Sequence, residues 1–243
     1  NGILLLSLGR QFRKYKTRFK TRLQGEMTYF FYKTIYKNPA RPTKELLIDI
    51  ADINMVIDDR SLAKQHPSYR KIYKTVNTVI DGAFWEHVKP VNGKNVKLIG
   101  FREHFVLGVE WKETTLFKQY EQELLKKPNV QGCRDMHELI RLYEEKYDAL
   151  YHQLALEGIK SARHNVDIEP IYIYIHGDGR FVYTSGGNHR LNMAKVLGLK
   201  SVPVLVRGRH AEWQRIRDEY QTLGLSAFEQ KYPSLVEHPD LQP

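Results

Sequence analysis

The sequence predicts a mixed α/β protein, and three features predict it. Pro170 to His176 is β-branched and aromatic, Gly177-Asp178-Gly179-Arg180 is a turn, and Phe181 to Thr184 is a second such run, so the segment reads as a β-hairpin. Ser185-Gly186-Gly187 then leads into a helical stretch, Asn188 to Leu197, stopped by Gly198, before a further strand at Val202 to Val206. Upstream, Leu139, Leu142, Tyr143, Tyr147, Leu150, Tyr151 and Leu154 recur at helical spacing, which predicts a long helix from about Asp135 to Glu157, stopped by Gly158. With 42% hydrophobic and 27% charged residues in 243, the chain has the composition of one sizeable globular domain, which excludes wholesale disorder and collagen-like repeats. A single cysteine, Cys133, excludes a disulfide framework and a Cys-rich metal centre, and the ten histidines contain no metal-binding spacing.

Residues 1–40 read as a basic amphipathic helical arm. Leu8, Phe12, Tyr15, Phe19 and Leu23 fall on one helical face with Arg and Lys opposite, an aromatic stretch from Tyr29 to Tyr36 follows, and Asn38-Pro39-Ala40-Arg41-Pro42 breaks the helix. Nine of the 38 Lys/Arg lie in residues 10–37 against one acid, Glu26, so the arm carries +8. The remainder, with 29 basic and 27 acidic residues, carries only +2. Three readings of the arm stay open: an anionic membrane surface bound through residues 3–36, docking on the body, or nucleic acid. The run Ile3 to Leu6 is too short to span a bilayer, and the basic region follows it rather than preceding it, which argues against a secretory signal. The expected location is a reducing cytoplasm, with the protein peripheral at the inner face of the membrane.

Residues 41–232 are expected to form one domain carrying an insertion at about 60–134, and 233–243 a poorly ordered tail. Within the domain, Leu46 to Ile53 reads as a short buried strand ending in an Asp-capped turn, and 67–80 as helical. Residues 81–111, with Trp85, Phe101, Phe105 and Trp111, read as loops and strands, Glu113 to Lys126 as a helix, and His210 to Leu223 as a polar helix. Tyr172 and Tyr174 are expected on an outer strand face, alternating with buried isoleucines, Asp178 in the hairpin turn, and the three tryptophans in the core.

The segment Gly186-Gly187-Asn188-His189-Arg190 joins a strand end to a helix start. Glycines there permit positive φ and close approach of a ligand, and the first helical N–H groups carry partial positive charge suited to phosphate. His189 and Arg190 add donors.

At these residues the chain resembles the ParB/sulfiredoxin superfamily: Pro170-Ile171, the hairpin, Gly-Gly-Asn-His-Arg-Leu, Ala194 to Leu199 and Val202-Pro203-Val204. Leu47 to Ile53 resembles its first strand, so the likeness covers roughly 46–53 and 145–207. The insertion and Arg209-His210-Ala211-Glu212-Trp213 resemble an uncharacterised prokaryotic ParB-like group. The resemblance implies a ParB/sulfiredoxin-like core whose Gly-Gly-x-His-Arg turn binds nucleotide phosphates. Asn188 stands where sulfiredoxins carry a nucleophilic cysteine, which rules out their chemistry. Only about 35 residues follow the last core strand, too few for the helix-turn-helix of ParB proteins together with a tail.

The superfamily's free serine kinases leave phosphoryl transfer open. The expected function is therefore ATP-dependent, or another nucleoside triphosphate-dependent, phosphotransfer with Mg²⁺ to a small or membrane-associated hydroxyl substrate. A non-catalytic or nuclease-like nucleic-acid module and a nucleotide-sensing protein are the alternatives, and the near-neutral body favours the first. Such a reaction needs a carboxylate to orient the hydroxyl. The candidates are Asp49 and Asp52, each equally suited to capping the next turn, and Glu86 and Glu113 beside tryptophans, whose plainer role is that of solvated carboxylates on a lid. His210 is a further candidate for the nucleotide site.

Overall fold

The computed structural model describes residues 2–70, 72, 75–91, 95–162 and 168–242, with backbone alone for 2–14 and 18. The chain is mixed α/β and divides into two compact units. The first comprises Asn1–Val91, Ser161–Gly187 and Ser201–Pro243, and the second Asn92–Lys160 and Asn188–Lys200. Among the described residues no helix is long and apolar enough to cross a membrane.

The first unit holds a seven-stranded mixed sheet of β1 (Glu45–Asp49), β2 (Met55–Val56), β3 (Thr78–Ile80), β4 (Lys89–Pro90), β5 (Ile171–Ile175), β6 (Phe181–Ser185) and β7 (Ser201–His210). The order is β1-β7-β5-β6-β2-β4, with β3 also paired to β7. β5 and β6 form the expected antiparallel hairpin, and Asp178 holds its turn by accepting from the Arg180 amide at 3.1 Å. β7 is the longest strand, antiparallel to β1 and parallel to β5 and β3.

Several expectations are corrected here. Thr78–Ile80 is strand rather than helix, because three residues of β propensity find a free stretch of β7 at Gly208 to His210. Residues 81–111 contain a ten-residue helix, Val96–Phe105, capped by the Asn95 side chain at the Leu98 amide. Tyr174 is fully buried, packed with Ile57, Leu62, Phe84, Trp85 and Val182, because both faces of β5 are covered.

The tail is also ordered. Asp240 and Leu241 are buried, and Asp240 accepts from Arg209 Nε at 2.8 Å and Trp213 Nε1 at 2.9 Å while pairing with Arg217 Nη1 at 2.9 Å. Burial alone would raise the Asp240 carboxyl, but Arg209 and Arg217 outweigh it and hold the group well below the carboxylate range.

The second unit is helical around an aromatic core of Phe101, Trp111, Phe117, Tyr120, Tyr143 and Tyr147 with Leu139 and Met193. Thr114 and Asp135 cap the Thr115–Leu124 and Met136–Leu142 helices. The expected 135–157 helix forms, but Tyr143–Asp148 is a π-helical turn within it, between Met136–Leu142 and Ala149–Glu157. Such turns insert one residue into the helical ladder and recur at functional sites. Trp85, Trp111 and Trp213 are all buried, as core residues should be.

Candidate functional site

β6 ends at Ser185, and Gly186 (φ 77°) and Gly187 (φ 56°) turn the chain through the left-handed region before the Asn188–Val196 helix. Gly186 has a structural reason to be glycine: a Cβ there would overlap the Pro170 carbonyl and meet the Tyr172 ring at 3.2 Å. Tyr183 Oη donates to the Gly186 carbonyl at 3.1 Å and fixes the turn. The two compact units divide between Gly187 and Asn188, so the remaining motif residues belong to the second unit.

There, three asparagines connect two helix starts. Asn95, the cap of Val96–Phe105, donates to Asn192 Oδ1 at 2.6 Å. Asn192 Nδ2 in turn donates to the Asn188 carbonyl at 2.8 Å and to Asn188 Oδ1 at 2.6 Å. Neither helix has an acid in its first turn, so neither positive dipole end is offset by a residue of its own first turn. Lys97 sits in the first turn of Val96–Phe105, where burial pushes its ammonium down to about 8 against the opposing pull of Glu123.

His189 points into the aromatic core of the same unit. Its ring stacks on Tyr147 at 4.2 Å and 16°, and its Nε2 hydrogen-bonds Tyr143 Oη at 3.2 Å. Tyr143 Oη also bonds Tyr120 Oη at 2.9 Å, so a buried chain of hydroxyls ends at the imidazole. Tyr143 and Tyr147 both belong to the π-helical turn, which brings them to one side of the helix. Burial first, and then the charges of Lys97 and Lys146, push His189 down to about 3. His189 is therefore neutral near pH 7 and supplies a hydrogen bond, while positive charge comes from Lys97 and Lys146. Lys146 Nζ lies 5.3 Å from the centroid of the Tyr147 ring on which His189 stacks. Arg190 is half-buried in the first turn of the Asn188–Val196 helix, and Asn188 is exposed.

The other sequence candidates are dispersed. Asp49 Oδ1 accepts from the Ala51 amide at 2.8 Å and caps the turn after β1. Asp52 and Glu86 are exposed in the first unit. Glu113 is exposed in the second and lies 4.0 Å from Lys118. His210 belongs to the first unit, where Nδ1 accepts from the Glu212 amide at 2.9 Å to cap Ala211–Leu223 and the ring packs 5.0 Å from Trp85. Burial, then His176, lower its pKa. Among the described residues no group of three or more His, Cys, Asp or Glu side chains could hold a metal ion.

Sequence reasoning did not find Lys97, Lys146, or the tyrosines around His189 as site residues. It also missed Asp59, which is buried in the first unit and accepts from Tyr174 Oη at 2.9 Å and Arg207 Nη1 at 3.0 Å. Arg207 in turn lies 4.4 Å over the Tyr172 ring, which packs against Gly186. A signal existed only for Lys97, which follows an Asn cap in the Asn95-Val96-Lys97 segment; nothing local distinguishes Asp59 from Asp58. Comparison with protein-family models, curated proteins and solved structures finds no match to this chain.

Proposed function

We propose that the chain binds a nucleoside triphosphate through its phosphates and acts as a nucleotide-dependent phosphotransferase on a hydroxyl substrate, with a ParB/sulfiredoxin-like core as its scaffold. The order hairpin, Gly-Gly, helix, strand supports the scaffold. The observation that carries the phosphate reading is the second unit's pair of acid-free helix starts, joined through Asn95, Asn192 and Asn188 with Lys97 in one first turn. A helix N-terminus contributes about 0.3–1 kcal/mol toward an anion, and up to ~2 kcal/mol when partly buried. A half-buried lysine adds a charge-assisted contact, and a phosphate would give Lys97 a close counter-charge. Arg190 supplies a fork suited to phosphate oxygens, and neutral His189 supplies a single hydrogen bond.

Mg²⁺ accompanies nucleotide phosphates in such reactions and is held largely by them, with one or two carboxylates. The chain's own part is to hold the phosphates and orient a hydroxyl. Asp49 is spent on its cap, and of the other candidates Glu113 is the one in the same unit as the phosphate-binding residues, so it is the carboxylate assigned to the hydroxyl proton. Titration calorimetry with ATP, CTP and ADP, with and without Mg²⁺, tests the reading. At least one triphosphate should bind, and Arg190→Ala should weaken it about tenfold, equivalent to about 1.4 kcal/mol. Absence of binding by all of them, or unchanged binding by the variant, removes the proposal.

A further inference from the structure

The helix Gly2–Tyr32 docks with the face opposite to its apolar one. At Gly25 the helix meets Pro42 and Val76 so closely that a Cβ would lie 2.7 Å from Pro42 Cβ and 3.0 Å from the Val76 side chain. Gly25 is buried, Thr21, Gln24, Thr28 and Tyr32 are half-buried, and Tyr32 Oη accepts from the Val79 amide at 2.9 Å. At 100° per residue these five fall on one side of the helix, and Tyr15, Phe19, Leu23, Met27 and Phe30 fall on the other. The second set is exposed, Phe19 at 70%, Met27 at 65% and Phe30 at 66%, with Phe31 at its edge at 60%. A soluble helix ordinarily turns such a stripe inward.

We infer that this outward face is an interfacial surface for an anionic lipid bilayer, an inference independent of the nucleotide site. Charge identifies the occupant. Lys16, Lys20, Arg22, Lys33 and Lys37 are exposed along the same stretch, and Glu26 is its one acid. Two such arms from two copies would repel, and nucleic acid would use the cations while leaving the aromatic stripe in water. An anionic bilayer takes both: phenylalanine, leucine and methionine enter the headgroup boundary while lysine and arginine reach back to lipid phosphates. Because the exposed stripe runs along the helix from Tyr15 to Phe30, the bound helix would lie in the interface plane.

Vesicle flotation of the full chain tests this, using phosphatidylcholine vesicles with and without phosphatidylglycerol, at low and high salt. The chain should float with the anionic vesicles at low salt, about tenfold more than with neutral ones, and less at high salt. The triple variant Phe19→Ser, Leu23→Ser, Phe30→Ser and the charge variant Lys16→Glu, Lys20→Glu, Arg22→Glu should each lose flotation while keeping the parent circular dichroism, because neither touches the docked face. Three results would overturn the inference: failure of the parent chain to float, flotation unaltered in the serine variant, or a concentration-dependent dimer of the parent that the serine variant dissolves, which would assign the face to a second copy.

Discussion

In the first unit Arg209 and Arg217 share one buried carboxylate, Asp240, whereas in the second Lys97 is half-buried with no close ion pair among the described residues, only the more distant pull of Glu123. The first arrangement is closed: Arg209 also donates to Asn77 Oδ1 at 2.8 Å, and Asn77 donates to the Ala40 carbonyl at 2.7 Å, so the guanidinium spends its donors inside the protein. The second is open, with two helix N-termini adding positive potential to the same place as Lys97. A buried cation with its partner built in serves the fold. A half-buried cation whose carboxylate lies farther off costs some stability, and an anion binding beside it would offset that cost.

The comparison is broken most sharply at Asp240. Asp240→Asn leaves two buried guanidinium groups without counter-charge, and should cost about 3–5 kcal/mol of unfolding free energy by denaturant titration. A loss below about 1 kcal/mol would mean that the tail clamp does not hold the first unit together.

The next effect is acid sensitivity at His189. Its folded pKa, about 3, lies below the ordinary value of 6.5, so between these pH values the unfolded chain binds a proton that the folded chain refuses. Stability therefore falls as pH falls through that window, by about 3 kcal/mol between pH 7 and pH 4 at roughly 1.4 kcal/mol per pKa unit. Relative to the parent, His189→Gln should lose this part of the acid destabilisation in denaturant titrations at the two pH values. Identical pH dependence in parent and variant would show that the imidazole is not held neutral by its surroundings.

Local chemistry made the hairpin, the Gly-Gly turn, the Asn188 helix start and the 135–157 helix readable, because each depends on residues within a few positions. Partners distant in sequence were not readable. Asp240 meets Arg209 across 31 residues and Asp59 meets Arg207 across 148, and nothing in a tail with three prolines announces a buried acid. β3 escaped for the same reason, since Thr78 to Ile80 becomes strand only where β7 runs past its β1 partner. At the site, the helix start was legible but its charge was not. His189 and Arg190 stand in the motif, while Lys97 and Lys146 reach the same neighbourhood from helices with no motif of their own.

The proposed phosphate site turns on Lys97, and calorimetry of ATP binding at pH 7 and pH 9 tests it most directly. Lys97 loses its proton near pH 8, so parent affinity should fall by about tenfold across this interval, up to the limit of one proton per site. Lys97→Gln should bind about tenfold more weakly at pH 7, with little further change at pH 9 and no loss of folding stability. Equal affinity of parent and Lys97→Gln at pH 7, or a parallel fall of both by pH 9, would contradict the account.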